Sequence, residues 1–399
     1  MSAAEVSHGV TETRREDSAS VRPAVAPALR FKGFDLSEET VVFGEVVSRR
    51  KSGARSTREL PSVEYEDVVS FEGRLCRDVK TKRDGRQGIR FSEGDVLFGK
   101  LRPYLGNWLR ASFDGVAVGD WWVLEPLGLR GSYLYQLIQS NPFQLIANQS
   151  SGSKMPRSDW SVVANGQFRV VVDPKQQEAL GCFLASIDSL RVTSQSALAK
   201  LQALKKSMLV NMFPQGDAKV PKIRFKGFEG EWKEIGYPDI FDHIPSKRYQ
   251  IQSSEYQECG AFPVLDQGKE CVCGYSDNEY RVFRGSAKPV VIFGDHTREV
   301  KFADFDFVVG ADGTQLLAPK KMDSLFAYYL LSHLTIPNMG YSRHFKFVVD
   351  AVFQCPEDIL EQRKIAAYFK SLDRLIAARR DEIEQLKHMK AALLNRMFV

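Results

Sequence analysis

The sequence predicts an α+β protein. Two globular α/β units are joined by two long helices that pair as an antiparallel coiled coil, and the whole carries a pseudo-twofold internal repeat. Three observations predict this. The phrase Arg30-Phe31-Lys32-Gly33-Phe34 returns as Arg224-Phe225-Lys226-Gly227-Phe228. The segment from Gln176 to Phe213 aligns without a gap on Glu361 to Phe398, and Gln177, Asp188, Lys205, Met212 and Phe213 match Gln362, Asp373, Lys390, Met397 and Phe398. Before each such segment the chain reads as short apolar runs broken by Gly, Asp and Asn, the pattern of strands and turns. A phrase and a segment that recur in the same order mark a duplicated architecture.

At 399 residues the chain exceeds one ordinary core. Its 43% hydrophobic and 26% charged residues are those of a globular protein. No apolar run approaches the roughly 18 residues that span a bilayer. In order, residues 1–27 read as a disordered tail with no apolar core of a secretory signal. Residues 28–172 form the first unit and 173–213 the first long helix. Residues 214–355 form the second unit and 356–399 the second helix. Cys76, Cys182, Cys259, Cys271, Cys273 and Cys355 include no CxxC pair, which points to reduced thiols rather than zinc ligands.

Within the first unit, "GDVLFGKLRPYLGNWL" and "DGVAVGDWWVLEP" read as strands and turns, followed by a short helix in "GSYLYQLIQS". In the second, "KPVVIFGDHTREVKF" and "FDFVVGADGTQLLAP" are the counterparts, followed by "SLFAYYLLSHL". Phe98-Gly99 and Phe293-Gly294 are common anchors, and the sequence between anchors diverges.

Both long segments lack internal Pro and are rich in Ala, Leu, Lys and Gln, strong helix formers. Leu180, Ile187, Leu201 and Met208 recur at heptad spacing, as do Ile365, Leu372, Leu386 and Leu393. Such a seam requires a partner helix. Phe183, Leu190, Ala197 and Leu204 are expected as the companion row of the first, and Tyr368, Leu375 and Met389 as that of the second. Leu184, Leu198, Met212, Phe369, Ile376, Ile383 and Met397 widen the stripe enough to serve further helices. Ser194 and Arg379 interrupt the seams. At about 1.5 Å per residue each helix extends roughly 55 Å, long enough to hold two DNA readers a turn or more apart.

The net charge is only +5, but cations are locally dense. Arg49, Arg50, Lys51, Arg55 and Arg58 crowd one stretch. Lys80, Lys82, Arg83 and Arg86 follow, then Lys100 and Arg102 before Tyr104, and Lys154 with Arg157. In the second unit the candidates are Lys247, Arg248 and Tyr249, then Arg343, His344 and Lys346. Loops of this kind suit phosphate contacts, while Arg, Asn and Gln read base edges.

Catalytic motifs are absent. Asn141-Pro142-Phe143 lacks the second Pro of an adenine methyltransferase motif, and no glycine-rich cofactor loop or GxxxxGK[ST] is present. Asp295, His296 and Glu299 cluster as a metal-dependent nuclease would require, which is the competing reading. A coiled-coil scaffold without a DNA role is another.

The stretch "FPQGDAKVPKIRFKGFEGEWKE" and the final segment "PEDILEQRKIAAYFKSLDRLIAARRDEIEQLKHMKAALLNRMF" resemble the specificity subunits of type I restriction-modification enzymes. The resemblance covers residues 28–399. It implies two target-recognition domains, each reading half of an asymmetric bipartite DNA site, and an antiparallel coil that fixes the gap. It implies two modification subunits that use S-adenosylmethionine, and two restriction subunits that use ATP and Mg2+. It also implies that this chain binds no cofactor and is not itself catalytic, and that it works in a bacterial or archaeal cytoplasm.

Overall fold

The computed structural model describes residues 38–82, 84–149, 154–310, 312–340 and 342–398. The tail of residues 1–27, the first RFKGF phrase and Arg83 lie outside them. The chain divides into two compact units, one of Met1–Leu190 with Gln385–Val399 and one of Arg191–Glu384.

In the first unit a four-stranded sheet runs in the order Val47–Arg50, Trp121–Pro126, Val96–Gly99, Trp108–Arg110, antiparallel throughout. Apolar residues fill both faces of its central strands. Val96, Phe98, Trp122 and Leu124 belong to one core cluster, and Leu97, Trp121 and Val123 to another. A second sheet runs Gly53–Arg55, Gln87–Phe91, Gly115–Ala117, Ser62–Val63. Glu38–Val42 pairs antiparallel with Gln167–Val171 and closes the unit at its base, where the chain passes into the first long helix.

The second unit repeats this frame. Phe241–Ile244, Thr314–Pro319, Val290–Gly294 and Val300–Ala303 form the matching sheet, and Lys233–Gly236 pairs with Val352–Cys355 at the base. In the other sheet three strands correspond. Phe307–Val309 lies between Val282–Phe283 and Phe262–Leu265, as Gly115–Ala117 lies between Gln87–Phe91 and Ser62–Val63. The fourth strand does not correspond. Gly53–Arg55 extends the first sheet beside Gln87–Phe91, whereas Gly274–Ser276 extends the second on its opposite side, beside Phe262–Leu265.

The anchor glycines have a steric reason. A Cβ on Gly99 would lie 2.9 Å from the Asn107 carbonyl oxygen, and one on Gly294 would lie 2.8 Å from that of Gln267. Neither position has room for a side chain. The short helices Gly131–Leu137 and Ser324–His333 cover equivalent faces.

The long helices span Pro174–Asn211 and Ile359–Met397, 38 and 39 residues. Each begins with the same clamp. Gln177 accepts the Arg130 N–H at 2.7 Å and donates to the Val171 carbonyl at 2.7 Å. Gln362 accepts the Asp323 N–H at 2.9 Å and donates to the Pro356 carbonyl at 2.8 Å. One buried amide thus ties helix, closing strand and short helix together in each unit.

The second RFKGF phrase fastens the second helix. Arg224 grips the buried carboxylate of Glu361 with two nitrogens, at 2.7 and 2.8 Å, and Phe225 packs at the edge of the Tyr368 ring. The Lys364 ammonium lies over the rings of Phe225 and Phe228.

The coil seam corrects part of the sequence expectation. In the first unit Leu180, Leu184 and Ile187 are buried in one core cluster with Leu394 and Phe398, joined by the partly buried Leu386, Leu393 and Met397. In the second, Ile365, Phe369, Leu372 and Met212 are buried together, with Leu201 and Met208 at the margin. The heptad positions named from sequence are in the seam, but their companion row lies mainly four residues on, not three, with Tyr368 alone of the large expected companions packed against the core. Phe183, Leu190, Leu204, Leu375 and Met389 are exposed. Within each unit the two helices run antiparallel. In the first, Lys390 of the second long helix meets Asp188 of the first, and Phe398 packs on Tyr133 of the short helix. In the second, Phe213 meets Phe369 while Lys205 meets Asp373.

Candidate nucleic-acid interface

Two loops of the first unit are zipped side by side. Arg102 N–H donates to the Pro156 carbonyl at 2.7 Å, Ser158 N–H donates to the Lys100 carbonyl at 2.8 Å, and Leu101 pairs with Arg157 between them. Arg102 takes a left-handed conformation, φ 49°, which starts the tight turn Pro103–Leu105. The turn thrusts Tyr104 and Leu105 outward, and Phe71 and Met155 are exposed as well. Phe71 is braced from below, edge-on to Trp108. Apolar tips beside Lys100, Arg102, Lys154 and Arg157 combine stacking surface with cations, a composition suited to a nucleic-acid backbone and its bases. Asp120 orients part of this group, with Arg157 at 3.2 Å and Lys100 at 3.5 Å. Burial alone would raise the Asp120 carboxyl, but the two cations hold it below the usual carboxylate range.

Lys51, Arg55 and Arg58 are exposed on and beside the edge strand Gly53–Arg55, and none makes an ion pair among the described residues. Lys80 is exposed and lies over the Phe113 ring, and Arg86 reaches Glu64 at 2.8 Å.

Other candidates are taken up by the fold. The Arg49 guanidinium lies over Trp160 and Trp122, its centre 5.1 and 6.0 Å from the rings. Arg50 bonds Asp95 and Glu125. Lys82 bonds the buried Asp67 at 2.6 Å. Burial opposes ionisation of Asp67, yet Lys82, the Glu64 backbone and Arg77 keep its carboxyl below the usual range.

In the second unit Lys247 lies on the rim of a cavity of about 670 Å³. Gln250, Gln252, Gln267, Arg281, His296 and Asp312 share its lining. Gln267 is fixed, donating to the Asp312 carbonyl and accepting the His296 N–H. Gln250 donates to Asp312 Oδ1 at 3.0 Å. Arg281 donates to the carbonyls of Lys247 and Arg248, and Tyr280 beside it is 95% exposed. Amide and guanidinium groups around one hollow are base-edge chemistry. Sequence reasoning missed Gln267, Tyr280 and Arg281, which lie far along the chain from the basic stretch at Lys247, and Gln250, which ends that stretch but carries no charge.

Arg343 is exposed, near Asp295, and Lys346 lies over Phe347. Arg248 lies over the Tyr249 ring, and Tyr249 itself packs edge-on against Phe283 in the core. His344 is wholly buried: Nδ1 donates to the Asp295 carbonyl and Nε2 accepts the Met339 N–H. His344 is therefore a brace with no surface to offer, and Tyr249 is partly taken up by the core.

The nuclease grouping is also a brace. Asp295 is buried and its Oδ1 accepts the Phe345 N–H at 2.8 Å. Among the described residues no three His, Cys, Asp or Glu side chains are arranged to hold a metal ion. No described helix is long and apolar enough to cross a membrane.

No protein-family model matches the chain. Over 111 residues it is 29% identical to the "Type I restriction enzyme EcoR124I/EcoR124II specificity subunit" of Escherichia coli, covering 27% of each protein. Over 279 residues it is 23% identical to the "Putative type I restriction enzyme MjaX specificity subunit" of Methanocaldococcus jannaschii, 64% of each. The chain thus matches less than two thirds of either relative's length. In fold it is similar to the crystal structure of the type I restriction-modification S subunit from M. genitalium, with a TM-score of 0.66 and 15% identity over 94% of this chain and 99% of that one. With its duplicated frame and paired helices, the chain is similar in fold to a type I restriction-modification S subunit, and in sequence to parts of two type I specificity subunits.

Proposed function

We propose that this chain is the DNA-reading subunit of a type I restriction-modification complex, each unit reading one half of an asymmetric bipartite site. The observation that carries the reading is one frame with two unlike surfaces. The closing strands, the glutamine clamp and three strands of each unit's second sheet are shared, while the edge strand and the exposed cationic and aromatic groups differ. That is what two readers of different half-sites require.

The coil then sets the gap between half-sites and docks partners. The exposed apolar residues Phe183, Leu190 and Met389 on the first unit's helices, and Leu204 and Leu375 on the second's, support a docking role. The partners in this reading are two modification subunits, which methylate adenine with S-adenosylmethionine, and two restriction subunits, which use ATP and Mg2+. The chain itself holds no cofactor, and the complex acts in the cytoplasm.

The test is to produce the chain with its modification subunit in cells free of other adenine methylation and to map modified adenines. One bipartite motif is expected. Exchanging residues 35–172 for the corresponding domain of another specificity subunit should replace one half of the motif and leave the other intact. Loss or change of both halves together overturns the two-reader assignment.

A further inference from the structure

We propose that two ion pairs, Asp188 with Lys390 and Lys205 with Asp373, are register pins that select one alignment of the long helices and so one gap length. The inference rests on the DNA-reading role proposed above, and it names residues that determine specificity without touching DNA.

The two pairs are the same device in two places. Asp188 matches Asp373, and Lys205 matches Lys390, in the ungapped repeat. In the first unit Lys390 Nζ donates to Asp188 Oδ2 at 2.6 Å and to Gln139 Oε1 at 2.7 Å, and the ammonium lies over the Tyr135 ring. In the second unit Lys205 Nζ donates to Asp373 Oδ1, Tyr329 donates its hydroxyl to Asp373 Oδ2 at 2.8 Å, and Lys205 lies over the Tyr329 ring. Each pin therefore holds three elements at once: both long helices and the region of the short helix that packs on them. The pins are substantially shielded, with side-chain exposures of 10% and 16% in the first unit and 22% and 35% in the second.

Their place in the seam gives them their effect. The seam steps by four and three residues, and Lys205 falls between Leu201 and Met208 as Lys390 falls between Leu386 and Leu393. Apolar rows at heptad spacing stay in phase when one helix slips by a heptad, so they discriminate poorly between registers. A lysine in the row does discriminate. A slip one way brings Lys205 to Arg380 and Lys390 to Gln195, and a slip the other way brings Lys205 to Ala366 and Lys390 to Gly181. Each alternative leaves a shielded ammonium without its carboxylate, which is strongly unfavourable. Single polar groups in coiled-coil seams select register in this way.

One heptad is about 10 Å of helix, or roughly three base-pair rises. A coil free to slip would therefore give methylated sites with more than one gap.

The experiment uses the full complex with modification subunits and maps methylated adenines. The wild-type chain gives one gap; no bipartite site at all would reject the DNA-reading role itself, independently of the pins. A variant without pins carries Lys205→Leu, Lys390→Leu, Asp188→Asn and Asp373→Asn. It is expected to keep both half-sites but to show added gaps differing by about three base pairs. A variant with both pins reversed, Asp188→Lys with Lys390→Asp and Lys205→Asp with Asp373→Lys, is expected to keep the single gap. Retention of the single gap without pins overturns the proposal. So does loss of methylation in both variants, which would make these residues general supports of the fold.

Discussion

Arg224 shows how a single residue anchors the second RFKGF phrase. Its guanidinium is paired to Glu361, which is 1% exposed, and also caps the carbonyls of Glu229 and Gly230. Removing it strands a buried carboxylate, so Arg224→Ala should destabilise the second unit by about 3 kcal/mol, read as a lower urea midpoint. Asp67 gives a pH signature. Its folded carboxyl is held below its ordinary value, chiefly by Lys82 acting against burial. Its contribution to stability is therefore complete above about pH 4 and is lost as pH falls through the lower folded value. Asp67→Asn should flatten the acid limb of a stability–pH curve and leave its shape near neutrality unchanged. The sequence displays every cation but not its partner. Arg50 meets Asp95 and Glu125, Lys82 meets Asp67, and Arg157 meets Asp120, all distant along the chain. A run of charge thus marks a region and does not say which members remain available. His344 reads as a polar loop residue because nothing local announces that the main-chain carbonyl of Asp295, far upstream, will accept its hydrogen bond.

At the scale of elements, the long helices were the most legible part, since their length and repetition need no tertiary information. The phase of the second seam row was not. Phe183 and Leu184 are neighbours, both apolar, and either could complete a heptad row. Only the bulk of the globular unit lying against one flank makes Leu184 fully buried and leaves Phe183 37% exposed. The outward row gives a prediction. Leu190→Asp and Leu375→Asp lie on exposed positions outside the packed seam, so each should leave folding within about 0.5 kcal/mol. Together they should sharply reduce co-purification of modification subunits. Undiminished co-purification would assign docking to another surface. The candidate surface was legible from sequence only in the first unit, where the structure brings together the loops that carry Lys100, Arg102, Tyr104 and Arg157. In the second, turns far apart in sequence assemble the hollow around Gln250 and Arg281. Gln250→Ala should weaken discrimination at one base pair of one half-site, by about 1–3 kcal/mol, seen as a relaxed position in the methylation motif with the other half unchanged.

For the whole molecule, duplication divides labour between what is kept and what is free to vary. Kept are the closing strand pair, the clamp, the helix and the Met-Phe ending, in which Phe213 stacks on Phe326 and Phe398 packs on Tyr133. Free to vary are the edge strand and the exposed tips. Gln177 and Gln362 fasten each short helix to its long helix through a neutral amide, sheltered at 2% and 3% exposure. Ions scarcely touch such a joint, whereas contacts between cationic loops and phosphates weaken steeply with ionic strength. Near 1 M salt, where screening acts within about 3 Å, the protein should release its nucleic acid while the internal joints of each unit hold. On the DNA-reading role proposed above, the part that grips lets go in salt, and the part that carries it does not.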